Sequence, residues 1–336
     1  MNRNPEVTGS PQTPPSFVLV KPSSLGDIIH ALPSLHFLRQ AHPKSKISWI
    51  ANTEWLPLLE HVEGIDELIA FPRRELRGLG AVRGFLQWAN SNRSTSPANE
   101  TVIDLQGLLR SALISRSRRS QRIVGASDAR EGAPAFYHIK APISAGCHAV
   151  EHNLAVMEAA GIPCPKDAIQ FPFGPGSKPK SELPDQFILL HPYSRGAGKT
   201  LDAGAIQHLI DQIAPLPLVL VGSRPAELHP ANGDHVLDLC GQTSLGELLW
   251  LSRTAQSVIS VDSGPLHIAA AVNDSVLGIH TWSDPRVVGP YGDQALVWKA
   301  GNICRPSDLS QAEASHSSVP EASDLEKIAI SALEAR

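Results

Sequence analysis

The sequence predicts an α/β protein with two similar domains, and the prediction rests on two strand-to-helix turns of one design. In the first, the apolar run 17–20 ends in Lys-Pro-Ser-Ser-Leu-Gly-Asp at 21–27 and continues into helical apolar spacing. In the second, the run 257–261 ends in Asp-Ser-Gly-Pro at 262–265 and again continues into a helical pattern. Because ligands bind beside the carboxyl ends of strands in open α/β sheets, we expect both turns to face one cleft.

The first domain is predicted to span residues 17–172 and to be followed by a linker at 173–185. A helix is predicted at 148–160, and the segment 91–100 is expected to be a surface connection. The linker lies in a stretch, 163–185, that is rich in Pro, Gly, Ser and Lys and shows no periodicity. Short apolar runs predict strands at 17–20, 46–50, 67–70, 101–104 and 121–124.

The second domain is predicted to span residues 186–318, with the same alternation of strands and helices. The pattern weakens through 305–322, and an amphipathic helix is predicted at about 323–335. Strands are predicted at 186–191, 217–221, 236–239, 257–261 and 275–279, and helices at about 202–213, 244–254 and 264–272.

The composition favours a soluble globular protein, with 336 residues, 42% hydrophobic and 18% charged. A net charge of −4 does not favour a general nucleic-acid partner. Residues 1–16 lack an apolar core, so we expect a disordered tail and not a signal peptide. No apolar run approaches the ~18 residues that span a bilayer, so any membrane contact is expected to be peripheral. The four cysteines have no spacing typical of a disulfide framework or a zinc site.

Arginines cluster in the N-terminal half, for example at Arg73, Arg74, Arg83, Arg110 and Arg116. One interpretation is an ordinary solvated face. The other is a surface that meets an anionic ligand or an anionic membrane.

Asp27 has two possible roles. At the start of a helix its carboxylate can cap backbone amides. Alternatively it is a general base at the sheet edge, kept ionised by the helix N-terminus, with Ser24 and Gly26 in a small turn that lets a substrate approach.

Three segments of the second half could hold a nucleotide diphosphate. Asp262, Ser263, Gly264 and Pro265 begin a helix, where free amides form an anion site, although a simple N-cap explains the pattern equally well. The segment 194–200, from Ser194 to Lys199 and Thr200, lacks the first glycine of a Walker motif, but it can still place Lys199 near phosphates. Glu227, after the strand that ends at Gly222, could bind a ribose hydroxyl.

Two patterns bear on metals. His148 and His152 match H-x-x-E-H, but the helix offers no third ligand, so a surface or interface helix is favoured over zinc. The chain has no D-x-D triplet of the kind that holds a nucleotide diphosphate through a metal. If the protein is a transferase, Lys199 and helix amides must offset the charge of the leaving group.

Together these motifs resemble the bacterial ADP-heptose:lipopolysaccharide heptosyltransferases of glycosyltransferase family 9, most closely the heptosyltransferase I type. The resemblance covers about residues 17–300. The matching segments are 20–33, 102–111, 148–151, Gly198 with Lys199, 261–264 with His267, and 283–285 with 289–292.

The resemblance implies a GT-B fold of two Rossmann-like domains facing a central cleft, with the final helix, 319–336, crossing back to the N-terminal domain. It implies an inverting transfer of heptose from ADP-L-glycero-D-manno-heptose to a Kdo residue of the lipopolysaccharide inner core. The implied partners are the ADP-sugar, an anionic lipid A–Kdo acceptor and the inner face of the inner membrane, with no cofactor, metal or nucleic acid.

The resemblance also assigns residues to roles. Asp27 is similar to the catalytic base of the family, and the acceptor site is implied to include Ser24, Gly26, Arg73, Arg74 and Arg130. The implied donor-binding residues are Ser194, Lys199, Glu227, Thr243, Asp262, Ser263, Gly264, Pro265 and His267.

The sequence departs from the family pattern at two positions, and two rival functions remain as alternatives. Leu201 stands where an aromatic residue often follows the lysine, and Ser263 stands where threonine is common, which leaves the donor sugar open. One rival is a related GT-B enzyme with another nucleotide-sugar, either a transferase or an epimerase. The other is a non-catalytic protein that binds a nucleotide-sugar or a glycolipid.

Overall fold

Two mostly parallel sheets form the centres of two α/β domains in the computed structural model, which describes residues 14–76, 78–95, 97–196, 198–224, 233–292 and 294–334. The first sheet has six parallel strands in the order β3-β2-β1-β4-β5-β6. Its strands are β1 (Ser16–Val20), β2 (Ile47–Asn52), β3 (Glu67–Phe71), β4 (Glu100–Asp104), β5 (Arg122–Ala126) and β6 (Ile139–Ala141).

Helices cover both faces of this sheet, which explains why its central strands are continuous apolar runs. Helix α1 packs closely against α5, and both contribute buried residues to the main core. The helices are α1 (Leu25–Ala41), α2 (Leu56–Leu59), α3 (Ala81–Ser91), α4 (Leu109–Ser117) and α5 (Ala149–Ala159).

The second sheet has seven strands in the order β13-β12-β11-β10-β7-β8-β9, and its pairs are parallel except β12 with β13. The strands are β7 (Ile188–His191), β8 (Leu218–Leu220), β9 (Val236–Asp238), β10 (Ser257–Val261), β11 (Val276–Ile279), β12 (Leu296–Lys299) and β13 (Asn302–Cys304). The helices are α6 (Ala203–Ile213), α7 (Leu245–Thr254), α8 (Gly264–Val272), α9 (Pro285–Val288), α10 (Gln311–Ser315) and α11 (Ala322–Glu334).

The final helix lies on the second domain, so the expectation that it crosses back to the first is wrong. Helix α11 packs against α6 and contacts β10 and β11. Its buried side chains Leu325, Ile328, Ala329 and Ala332 belong to the core of this domain. Its apolar stripe finds a partner in the adjacent helix, and the amphipathic pattern alone could not say which domain supplies it.

The predicted linker, 173–185, lies between the last strand of the first sheet and the first strand of the second. Most of the predicted tail, 1–13, lies outside the described residues, and Ser16 at its end already belongs to β1. Within the described part of the chain, no helix is long and apolar enough to cross a bilayer.

Both sheets reverse their strand order in the middle, between β1 and β4 and between β7 and β10. These reversals open crevices at the carboxyl ends of the strands, where ligands bind in folds of this kind. Apolar packing continues between the domains, because Ile28 and Ile29 of α1 share one buried cluster with Leu266 and Ile268 of α8. The two crevices are therefore held facing each other.

Candidate functional site

A cleft of about 530 Å³ lies between the domains at the two crevices. Most of its wall comes from the second domain, and the first domain contributes the start of α1 and one tryptophan. Its lining residues are Ser24, Leu25, Gly26, Trp55, His191, Tyr193, Ser194, Arg195, Gly222, Ser223, Gly241, Thr243, Ser244, Leu245, Leu248, Ser263, Gly264 and Pro265.

Asp27 lies in the first turn of α1, beside the cleft residues Ser24 and Gly26. The Ser24 N–H and hydroxyl donate to its Oδ2 at 2.7 and 2.8 Å, so the capping role is present. No hydrogen bond to Oδ1 is found within the described residues, so one carboxylate oxygen can serve a substrate while the other caps the helix. The two interpretations of Asp27 are therefore compatible.

Two glycines let the helix starts of the two domains touch. A Cβ on Gly26 of α1 would lie 2.7 Å from Cδ2 of His267 in α8. A Cβ on Gly264 of α8 would lie 2.5 Å from Cδ2 of Leu25 in α1. Because both distances are too short for a real Cβ, glycine at each position sets how closely Asp27 approaches the second domain.

Histidines reinforce this contact. His30 Nε2 lies 3.2 Å from His267 Nδ1, which joins α1 to α8 directly. Burial, and the neighbours His267 and His148, lower the pKa of His30 well below its ordinary value. Burial also lowers the pKa of His267, against the opposing effects of Asp262 and Asp27. The contact is therefore made by neutral rings at neutral pH.

His148 and His152 have separate partners. His148 Nε2 lies 3.1 Å from the Gly289 oxygen and its Nδ1 accepts from the Val150 N–H, while His152 Nε2 lies 3.1 Å from Asp128 Oδ1. The pair therefore offers no shared metal position. Across the described ranges, no group of three or more His, Cys, Asp or Glu side chains could hold a metal ion.

Lys199 and Asp262 form a buried ion pair at the carboxyl end of β10. Lys199 Nζ and Ser283 Oγ each donate to Asp262 Oδ2 at 2.5 Å. Burial alone would raise the pKa of Asp262, but His280 and the bonds from Lys199 and Ser283 outweigh it and lower the pKa. Asp262 Oδ1 faces His267 Nε2 at 3.9 Å, so the pair adjoins the interdomain contact.

The Lys199 ammonium also lies over an indole, with Nζ 4.3 Å from the ring centroid of Trp282. Trp282 is 52% exposed. The carboxylate and the ring fix the ammonium beside the cleft, where it can meet a developing negative charge.

The other predicted donor-binding residues are spread along the cleft wall. Ser194, Thr243, Ser263, Gly264 and Pro265 line it. Helix α8 begins at Gly264, and the N-terminal end of a helix suits an anion. Glu227 lies outside the described residues.

The predicted acceptor arginines are exposed and follow strand ends in the first domain. Arg73 and Arg74 come just after β3, and Arg74 Nη2 lies 2.6 Å from Glu54 Oε2. Arg130 follows β5, and its N–H donates to the Gly107 oxygen at 2.8 Å. The three residues thus follow the carboxyl ends of strands in the first sheet.

Several site residues were not predicted. His191 ends β7 and His280 follows β11, so the rule that polar residues after strands mark a site could have found them. Ser283 bonds Asp262 from a segment that was noted only as a matching motif. Trp55 carries no sequence signal for a site, because only the facing of the two domains brings it into the cleft. Arg195 lies inside the predicted segment 194–200 but was not singled out there.

Comparisons with known proteins identify the family. The model of glycosyltransferase family 9 (heptosyltransferase) matches residues 96–316. Lipopolysaccharide core heptosyltransferase OpsX of Haemophilus influenzae is 25% identical over 310 residues, covering 84% of this chain and 83% of OpsX. Lipopolysaccharide heptosyltransferase 1 of Escherichia coli is 26% identical over 299 residues, covering 84% of this chain and 93% of that protein.

The fold is shared with solved structures of this family. The E. coli heptosyltransferase WaaC with ADP superposes with a TM-score of 0.74 at 22% identity, covering 94% of this chain and 99% of that chain. The E. coli ADP-heptose lps heptosyltransferase II superposes with a TM-score of 0.69 at 19% identity, covering 95% of this chain and 99% of that chain. The GT-B arrangement of two Rossmann-like domains is confirmed. Since the family model spans well over half of the sequence, the chain belongs to glycosyltransferase family 9, the heptosyltransferases, and is a glycosyltransferase.

Proposed function

We propose that this protein transfers heptose from ADP-L-glycero-D-manno-heptose to a Kdo residue of the lipopolysaccharide inner core. The names of the relatives support lipopolysaccharide heptose transfer. The observation that carries the mechanism is the placement of Asp27 on one side of the interdomain contact and the Lys199–Asp262 pair on the other. A base thus faces a charge-stabilising group across the place where two substrates would meet.

In the proposed reaction, Asp27 accepts the proton of an acceptor hydroxyl as its oxygen attacks the anomeric carbon. The bond from that carbon to the ADP oxygen breaks, and ADP leaves with the electron pair. Lys199 and the amides at the start of α8 offset the charge that develops on the diphosphate. A single displacement from the face opposite ADP inverts the anomeric configuration.

Turnover with a panel of ADP- and UDP-sugars on Kdo₂-lipid A tests the substrates. We expect ADP-heptose to be used and the product to carry the inverted anomer, read by NMR. Turnover with a UDP-sugar only, or a retained anomer, would contradict the proposal.

Transfer is expected to need no divalent metal, because Lys199 and helix amides occupy the role that a D-x-D-bound ion would have. The measurement is the initial rate in excess chelator, compared with the rate after adding Mg²⁺ or Zn²⁺. Equal rates are expected. Complete loss in chelator that either metal restores would overturn this mechanism.

The N-terminal arginines are proposed to bind the phosphorylated acceptor. Arg73→Glu with Arg74→Glu is expected to weaken acceptor binding and leave ADP binding nearly unchanged, because most of the donor cleft is built by the other domain. The effect should shrink as salt rises, since exposed charges are screened within ~8–10 Å at physiological ionic strength. Titrations with ADP and with Kdo₂-lipid A at two salt concentrations measure the two affinities and their salt dependence.

A matched control is Lys44→Glu with Lys46→Glu, which makes the same change in net charge. These lysines lie just before β2, at the end of the first sheet away from the two arginines. This control should leave acceptor affinity near that of the wild type. Loss of ADP affinity with unchanged acceptor affinity in the arginine variant would mean that the domain roles are reversed.

We also propose peripheral contact with the cytoplasmic face of the inner membrane through the first domain. Helix α3 exposes Val82 and Leu86, at 73% and 61%, beside the exposed Arg83. Apolar and cationic side chains together suit an anionic lipid surface. Sedimentation with anionic vesicles at low salt tests this, and protein that stays in the supernatant would contradict it.

A further inference from the structure

Trp55 of the first domain lines the cleft whose wall is otherwise mostly built by the second domain. It ends a short 3₁₀ turn, Thr53–Trp55, that directly follows β2. The residue is only 8% exposed. Its indole Nε1 is buried and has no hydrogen-bond partner within the described residues.

The position of Trp55 is fixed by contacts between the domains. Helix α2, which starts at the next residue, packs against α7 of the second domain. Contact is so close that a Cβ on Gly246 of α7 would lie 2.2 Å from His61 Nε2. The indole is therefore carried into the cleft by a docked segment.

A cation lies beside the ring. The guanidinium carbon of Arg195, in the loop after β7, is 5.3 Å from the Trp55 ring centroid. Arg195 and its neighbour Ser194 both line the cleft. An anionic ligand that Arg195 attracts would thus arrive at the part of the cleft wall that carries the Trp55 ring.

Other indoles show what is unusual about Trp55. Trp49 Nε1 donates to the Lys21 oxygen and Trp88 Nε1 to the Ala70 oxygen, at 3.4 and 2.7 Å. Trp298 Nε1 also lacks a partner among the described residues, but its ring lies in the core of the second domain. Trp55 combines an unsatisfied donor with a place in the cleft, and a buried donor without a partner is costly unless a ligand satisfies it.

We infer that Trp55 is a donor-binding residue supplied by the acceptor domain, whose indole N–H donates to a diphosphate oxygen of the ADP-sugar beside Arg195. The inference rests on the proposed function, which puts the ADP-sugar in this cleft. It follows that full donor affinity requires both domains, so nucleotide binding holds the cleft in its assembled form.

Calorimetric titration of Trp55→Phe with ADP and with adenosine tests the inference. Phenylalanine keeps an aromatic ring and removes only the donor and part of the ring area. We expect about tenfold weaker ADP binding, as for loss of one hydrogen bond to a charged group, and unchanged adenosine binding. Trp298→Phe, the same change at an indole outside the cleft, should bind ADP like the wild type.

Unchanged ADP affinity in Trp55→Phe would contradict the role of Trp55, and equal weakening of adenosine would contradict the diphosphate contact. If the wild type itself did not bind ADP, the proposed function would fail as a whole. A measurement on the unsubstituted chain guards against a misfolded variant: with 5-fluorotryptophan incorporated, ADP should shift the fluorine resonance of Trp55 and not that of Trp298. A Trp55 resonance that ADP does not move would also overturn the inference.

Discussion

Asp27→Asn is expected to lower kcat by about 10²–10⁴, the usual cost of losing a general base. ADP affinity should stay nearly unchanged, because most of the donor cleft is built by the second domain. Asparagine keeps a side-chain oxygen that can accept from the Ser24 N–H, so the helix cap survives while the base is removed. The measurements are single-turnover rates and an ADP titration on the same preparation.

Glu313→Gln is the matched control, because Ser310 and Glu313 form the same kind of cap at the start of α10, away from the cleft. Its rate should equal that of the wild type. If Asp27→Asn also turned over like the wild type, Asp27 would be a helix cap only.

Lys199→Met is expected to lower kcat by about 10²–10³, the range found when one preorganised stabilising group is removed. It should also destabilise the fold, because Asp262, whose side chain is 6% exposed, loses its cationic partner. Breaking a buried ion pair from one side costs about 3–5 kcal/mol. Turnover and the thermal midpoint should therefore both fall.

The double variant Lys199→Met with Asp262→Asn separates the two effects. Removing both charges should recover much of the thermal midpoint without recovering turnover. Recovery of both would mean that Lys199 acts only through stability, and catalysis by its charge would be ruled out.

The sequence predicted those elements that a local pattern encodes. Apolar runs ending in small or acidic residues located β1 and β10 and the helices that follow them, where Asp27 and Gly264 lie. Strands β6, β12 and β13 were missed, and length alone is not the reason, because β8 and β9 also have three residues and were predicted. Such strands are defined by their neighbours in the sheet, and not by a periodicity of their own.

Contacts between the domains could not be predicted from local patterns. Two close contacts depend on how the starts of α1 and α8 meet across the cleft. They are the contact of Gly26 with His267 and the contact of Gly264 with Leu25. For the same reason Trp55, distant in sequence from every predicted donor motif, escaped prediction. The resemblance implied that the final helix crosses back to the first domain, and its apolar stripe could not correct this, because a stripe does not specify its partner.

A crystal structure of the protein with ADP-2-deoxy-2-fluoro-heptose would show directly whether Asp27 and Lys199 lie on the two sides of the transferred sugar. We expect a diphosphate that contacts the backbone at Gly264, with the sugar lying between Lys199 and Asp27. The anomeric carbon should present the face opposite ADP toward the Asp27 carboxylate. A nucleotide bound in the first domain, or an anomeric carbon turned away from Asp27, would contradict the account.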